Sequence, residues 1–312
     1  MPVSLALAAF LVFCVGLSVG DYPVSLPDVI RALGGAGDHF SLLTVRELRL
    51  PRVLVGMLVG AAFGVSGAVF QTVTRNPLAS PDMIGIAAGA TTAVVAAIVL
   101  GLNIEVFGLV GAFATALVIY LLAWRRGTTG YRIILVGIGI SWICISATNY
   151  LLSKARIHEA HQALGWLVGN LNGRTWNQVP QLTIAVVALV PVVLLCGRWL
   201  RTLQLGDEVA TGLGTPVQTA RLVLLIAAVG LVAFGTAAAG PVAFVALAAP
   251  QIAQRLVRVP APPVIASGLT GAVIVLSADL MAKEIELPVG VVTGVLGAPF
   301  LMWLIVRKKR DA

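Results

Sequence analysis

Charged residues are scarce in this chain of 312 residues. Only 11% of the residues are Asp, Glu, Lys or Arg, 59% are hydrophobic, and the mean hydropathy is +0.99. A soluble domain usually carries about 25% charged residues. The composition therefore excludes a soluble protein. Because the apolar runs extend over nearly the whole length, it predicts a single integral membrane domain over residues 1–312.

The chain also lacks the residues that nucleotide or metal chemistry would need. Only four lysines occur and none follows a glycine, so the GxxxxGK[ST] phosphate loop is absent and another chain would have to hydrolyse any ATP. Cys14, Cys144 and Cys196 lie within or at the ends of apolar runs and form no CxxC. His158 and His161 lack the HExxH spacing, and we interpret them as part of a solvated outer loop. We expect no cofactor, no metal site and no enzyme activity.

Nine apolar runs are about long enough to cross a bilayer as helices. A tenth run, 240–252, is short, and Pro241 and Pro250 lie at its two ends, so we predict a short or partly inserted helix there. The fold class is thus an all-α polytopic membrane protein of about ten helices. The nine longer spans are predicted at 3–19, 53–70, 83–102, 106–124, 133–152, 179–195, 222–239, 263–280 and 288–306.

The net charge of +8 indicates membrane orientation rather than nucleic-acid binding. The basic residues lie in short loops between apolar runs, not on one basic face. With ten crossings, thirteen of the twenty-one Lys and Arg residues fall on the side of the basic tail 307–310, and eight fall on the other side. Since cytoplasmic loops carry the excess of positive charge, both termini are predicted to be cytoplasmic.

The longest cytoplasmic loop, 197–221, contains a candidate amphipathic segment. Asp207 and Glu208 suit a first helical turn, and Leu205, Val209 and Leu213 recur at the spacing of one helix face. Such an apolar face at the membrane surface needs a cover. The segment either lies on lipid headgroups or docks onto a partner protein.

Basic residues also occur on the outer side, where they are less common. Arg49 and Arg52 precede the second span, and Lys283 follows the ninth. They either anchor the helices at the interface or receive an acidic patch of an external protein.

A polar segment containing prolines, 71–82, lies between the second and third spans. Asn76, Pro77 and Leu78 are predicted to break the helix near the cytoplasmic face, at the depth of Thr128 and Thr129. Non-helical backbone at membrane depth usually lines a cavity or is buried in protein. These residues form either a gate or a plain tight turn.

Seven motifs, in order along almost the whole chain, carry a resemblance. The chain resembles the permease subunits of type II ABC importers for iron-siderophores, haem and vitamin B12, the FecCD-like family. The motifs are RLPR at 49–52, SGAVFQ at 66–71, RNPLASPDMIG at 75–85, GWLVGNLNGRTW at 165–176, LGDEVATGLG at 205–214, GPVAFVALAAPQI at 240–252 and ELPVGVVTGVLGAPF at 286–300.

The resemblance implies the type II importer fold, paired with a second permease copy or a homologous chain around a central path. It also implies two cytoplasmic ATPase subunits and an external substrate-binding protein. Arg49, Arg52 and Lys283 would meet acidic residues of that binding protein, and Asn76, Pro77, Leu78, Thr128 and Thr129 would form the cytoplasmic gate. The segment that couples the permease to the ATPase would comprise Leu205, Gly206, Asp207, Glu208, Val209, Ala210, Leu213 and Gly214.

The resulting hypothesis is a multi-pass permease of the bacterial cytoplasmic membrane that passes a ferric siderophore inward. Haem or vitamin B12 remains an alternative cargo. A secondary transporter would need a membrane-embedded acid or base for coupling, and no convincing one lies in the middle of a span. A membrane enzyme would need convergent His, Asp or Glu residues within the spans, and none is found.

Overall fold

The computed structural model describes residues 1–20, 22–81, 85–124 and 130–310. In these ranges the chain forms fourteen helices and no strand, in agreement with the predicted all-α class. The helices are α1 Pro2–Ser18, α2 Leu26–Leu33, α3 His39–Thr74, α4 Ile86–Leu100, α5 Ile104–Ala123, α6 Gly130–Lys154, α7 Ile157–Leu167, α8 Gln178–Leu195, α9 Gly197–Gln204, α10 Asp207–Gly212, α11 Val217–Ala239, α12 Val245–Val257, α13 Val264–Glu284 and α14 Val289–Arg310.

Each of the ten predicted spans corresponds to a helix. Six helices, α3, α5, α6, α8, α11 and α13, are long and apolar enough to cross a membrane, and α1, α4 and the apolar part of α14 are shorter. We call the end of the bundle where α3 stops the Asp207 end. The opposite end, which holds the loop between α7 and α8, is the Asn172 end.

Helices α3, α11 and α13 form the centre of the bundle, and α5, α6 and α8 lie at its periphery. The central contact is close because α3 presents glycines to its neighbours. A Cβ atom at Gly60 would overlap the carbonyl of Gly271, and one at Gly64 would overlap the carbonyl of Ser267. Small residues allow membrane helices to approach backbone to backbone, which increases their van der Waals contact.

The second span is longer than its apolar run predicts. Helix α3 is continuous from His39 to Thr74, and its segment Leu43–Arg49 is a π-helix in which the N–H of Leu50 bonds to the carbonyl of Val45. Pro51, which has no N–H to donate, follows directly. The wider π-turn explains how the helix continues through this proline, which lies before the predicted start of the span at residue 53.

Three further predictions are wrong in detail. The tenth helix runs from Val245 to Val257, so Pro250 lies inside it and not at its end, and 240–244 is non-helical. Gln71 to Thr74 belong to α3 and not to the break. His158 and His161 lie in helix α7 and not in a loop.

Candidate functional site

The candidate coupling segment lies at the Asp207 end of the bundle, where the short helices α9 and α10 form a hairpin over residues 197–215. We call it the coupling hairpin. Helix α10 spans Asp207–Gly212, with Asp207 and Glu208 in its first turn as predicted. Gly206, at φ +106°, and Gly214, at φ +77°, turn the chain on either side of it. The hydroxyls of Thr202 and Thr215 lie 2.9 Å apart. This contact closes the base of the hairpin.

Asp207 anchors the hairpin to the bundle. Its two carboxylate oxygens each lie 3.0 Å from Nη2 of Arg221, whose side chain is only 2% exposed at the start of α11. Nη2 of Arg75, just past the end of α3, lies 3.6 Å from Oδ1 of the same carboxylate. The acid that the sequence assigned to a helix start therefore also joins three separate parts of the chain.

The apolar side chains of the hairpin remain uncovered. Leu205, Val209 and Leu213 are 61%, 49% and 55% exposed, whereas Ala210 is buried against the bundle. Only Val209 lies within α10, because the helix has six residues and cannot include all three predicted positions. The exposed trio is nevertheless held on a segment whose Asp207 binds the buried Arg221.

The candidate gate residues form a turn directly after α3. Arg75 has the left-handed conformation, with φ +53°, and the backbone N–H of Leu78 donates to Oδ1 of Asn76 at 3.0 Å. Pro77 and Arg75 line a cavity of about 290 Å³, together with Gln71 and Gln251. Thr128 and Thr129, which we expect at the same depth, lie outside the described residues.

A buried pair of amides in the wall of this cavity was missed by sequence reasoning. Nε2 of Gln251 donates to Oε1 of Gln71 at 2.6 Å, and Nε2 of Gln71 donates to the carbonyl of Leu247 at 3.0 Å. Both side chains are buried. Because a buried amide is costly unless it is hydrogen-bonded, the pair fixes α12 against α3 beside the candidate gate.

The three predicted docking residues lie at the Asn172 end but are held by internal contacts. Arg49 is buried, and its guanidinium donates to the carbonyls of Leu17 and Ser18 at 2.9 Å and to that of Tyr22. It therefore caps the end of α1.

Arg52 and Lys283 share one acid. Arg52 binds Asp279 in bidentate fashion, with Nε to Oδ2 at 3.0 Å and Nη2 to Oδ1 at 2.8 Å. Nζ of Lys283 lies 3.8 Å from Oδ2 of Asp279. The structure thus brings Arg52 and Lys283 together, whereas Arg49 faces α1.

A polar pocket of about 290 Å³ also lies at the Asn172 end. Glu105, Trp166, Asn172 and Arg174 line it, and Nε2 of Gln178 donates to Glu105 at 2.6 Å. Burial lowers the pKa of Arg174, and the negative charge of Glu105 opposes this shift. Within the described ranges, no group of three or more His, Cys, Asp or Glu residues could hold a metal ion.

Helix α6 exposes polar side chains from its membrane span. Trp142, Ser146, Asn149 and Ser153 are exposed and recur at spacings of four, three and four residues, so they lie along one face. Lipid offers no hydrogen-bond partner to such groups. This face is better suited to a partner helix or a hydrated path than to lipid tails.

The sequence comparison places these features in a family. A sequence model of the FecCD transport family matches residues 7–307. The chain belongs to the FecCD transport family. It is 40% identical to the ferric enterobactin transport system permease protein FepG of Escherichia coli, over 95% of this chain and 92% of that protein.

Other relatives carry related names. The chain is 38% identical to the iron(3+)-hydroxamate import system permease protein FhuG of Bacillus subtilis, over 95% of this chain and 93% of that protein. It is 37% identical to the achromobactin transport system permease protein CbrC of Dickeya dadantii, over 98% and 91%. This FecCD member also has the fold of a solved metal-chelate type ABC transporter in an inward-facing conformation, with a TM-score of 0.89, 23% identity and 98% coverage of both chains.

Proposed function

We propose that this chain is the membrane-spanning permease subunit of an ATP-driven importer and that its cargo is a ferric siderophore. The observation that carries the proposal is the coupling hairpin. Leu205, Val209 and Leu213 are exposed together on a segment that Asp207 fixes to the bundle. A rigid apolar platform of this kind is suited to transmit force from a soluble partner.

The partner that suits this platform is a pair of ATPase subunits, one for each permease copy. An apolar surface rimmed by polar residues is typical of a protein interface. Lipid headgroups would also cover the three side chains. However, lipid contact alone would not require the acid at the start of α10 to bind α11 and the end of α3.

A second permease copy, or a homologous chain, would cover the polar face of α6. Placing Ser146 and Asn149 against it, or along a path between the two copies, removes the need to expose them to lipid. In this arrangement the turn containing Asn76, Pro77 and Leu78, together with Thr128 and Thr129, forms the cytoplasmic gate. The chain crosses the bacterial cytoplasmic membrane, with both termini and the Asp207 end inside.

The external binding protein would dock at the Asn172 end near Arg52 and Lys283. Their side chains are 18% and 14% exposed and already share Asp279, so an incoming carboxylate would compete with an internal one. Arg49 supports this region from within by capping α1. Docking therefore requires a rearrangement of the Arg52–Asp279 pair.

The choice of cargo rests on the relatives, whose names include ferric enterobactin, achromobactin and iron(3+)-hydroxamate. Uptake should be measured in a deletion strain with these chelates labelled with ⁵⁵Fe, and with labelled haem and cobalamin. We expect restored uptake of at least one ferric siderophore when the gene is returned. Restored uptake of only haem or cobalamin would overturn the siderophore assignment, and restoration of none would overturn the importer function.

A further inference from the structure

Arg75 ends helix α3 in a conformation that an arginine rarely adopts. Its φ and ψ are +53° and +32°, in the left-handed region. Its N–H bonds to the carbonyl of Thr72, and the N–H of Asn76 bonds to that of Gln71. This is the Schellman arrangement, whose left-handed position usually holds glycine because a Cβ atom is strained there. The position therefore carries backbone strain that a glycine would relieve.

The guanidinium of Arg75 crosses to the coupling hairpin. Its Nη2 lies 3.6 Å from Oδ1 of Asp207. A Cβ atom built on Gly206 would lie 3.1 Å from Nη1 of Arg75, which is closer than about nine in ten real Cβ contacts. Glycine at position 206 thus gives the guanidinium room to lie against the hairpin backbone.

The two arginines that bind Asp207 differ in how firmly they are held. Arg221 lies 3.0 Å from the carboxylate, and its side chain is 2% exposed. Arg75 is at the longer distance, and its side chain is 49% exposed. An exposed ion pair contributes little to stability and is screened by salt. The Arg221 contact is therefore the fixed attachment, and the Arg75 contact is one that can form and break.

We propose that Arg75 is the positioning residue that transmits movement of the coupling hairpin to the cytoplasmic end of α3. The inference rests on the proposed function, in which the hairpin binds an ATPase. Helix α3 lies at the centre of the bundle, and the turn that follows Arg75 holds Asn76, Pro77 and Leu78. A pull on Asp207 can therefore reach the end of α3 and the candidate gate through the side chain of Arg75.

Arg75→Gly gives a sharp test because it removes the guanidinium and also relieves the strained backbone. The matched control is Arg258→Gly. Arg258 ends α12 with φ +57° at the same end of the bundle, and no acid pairs with it in the ranges that the structure describes. Both variants exchange a left-handed arginine for glycine, but only one loses a contact to the hairpin.

The measurement is the number of chelates imported per ATP hydrolysed by the complete transporter in liposomes, with the chelate that wild type carries in the uptake test. We expect Arg75→Gly to lower this ratio about tenfold, within the range of typical coupling between sites. Its melting temperature should be unchanged or raised. Arg258→Gly should stay within twofold of wild type, and Arg75→Lys, which keeps the charge, within threefold.

Three results would overturn the inference. The first is an unchanged number of chelates imported per ATP in Arg75→Gly, and the second is an equal decrease of that number in Arg258→Gly. The third is a decrease in Arg75→Gly together with a lowered melting temperature, which would indicate a merely structural role. These outcomes differ from failure of the proposed function, in which wild type itself would import nothing with the ATPase.

Discussion

Leu213→Asp should separate the permease from its ATPase without unfolding it. In the free chain Leu213 is 55% exposed. Full burial of a leucine is worth about 1.5–3 kcal/mol, so covering the exposed half in an interface is worth about 1 kcal/mol. An aspartate there would lose that contribution and would also bury an unpaired carboxylate, at a cost of at least about 2 kcal/mol.

The combined loss of about 3 kcal/mol corresponds to a roughly 150-fold weaker complex. The fold itself should change by less than about 0.5 kcal/mol, because the side chain packs little against the bundle. Binding of the purified ATPase to the permease in nanodiscs, measured by biolayer interferometry, checks the first value, and thermal unfolding checks the second.

Leu256→Asp is the control for this experiment. Leu256 is 43% exposed near the same end of the bundle, on α12 and outside the coupling hairpin. We expect its ATPase affinity to remain within threefold of wild type. Equal weakening by both variants, or no weakening by Leu213→Asp, would refute the assignment of the hairpin as the ATPase contact.

Three further predictions test the helix packing, the charge network and the amide pair. Gly64→Ala should lower stability by about 1–3 kcal/mol, because the new Cβ overlaps the carbonyl of Ser267; an unchanged melting temperature would contradict the close α3–α13 contact. Asp279→Asn should lower stability by about 3 kcal/mol, since it removes the carboxylate charge that Arg52 and Lys283 share, and adding Arg52→Gln should recover part of the loss; no recovery would contradict the pairing. Gln71→Leu should cost about 1–3 kcal/mol in chemical unfolding, because it removes two buried hydrogen bonds, and a neutral effect would argue against the amide pair.

The helices that cross the membrane could be predicted from the sequence because their signal is local. Runs of about 17–20 apolar residues need no knowledge of their neighbours to be recognised. The start of α3 could not be found this way. Its first turns are amphipathic, and the π-segment Leu43–Arg49 accommodates Pro51 in a way that composition does not reveal.

The residues of the candidate sites could be chosen from the sequence, but the residues that they contact could not. Asp207 could be assigned to a first helical turn, yet its contacts with Arg221 and Arg75 join residues 14 apart and 132 apart in sequence. The pairing of Asp279 with Arg52 likewise depends on the packing of α13 against α3. Ion pairs between residues far apart in the sequence depend on tertiary packing, which cannot be read directly from a single sequence.

Import driven by a partner's ATP hydrolysis is the central claim, and flux into sealed liposomes tests it most directly. The permease would be reconstituted with the ATPase and the loaded binding protein, and accumulation of ⁵⁵Fe-labelled chelate measured with ATP, without ATP, and with a proton or sodium gradient alone. The account predicts uphill accumulation only when the ATPase and ATP are both present. Uphill accumulation by the permease alone on an ion gradient would contradict it.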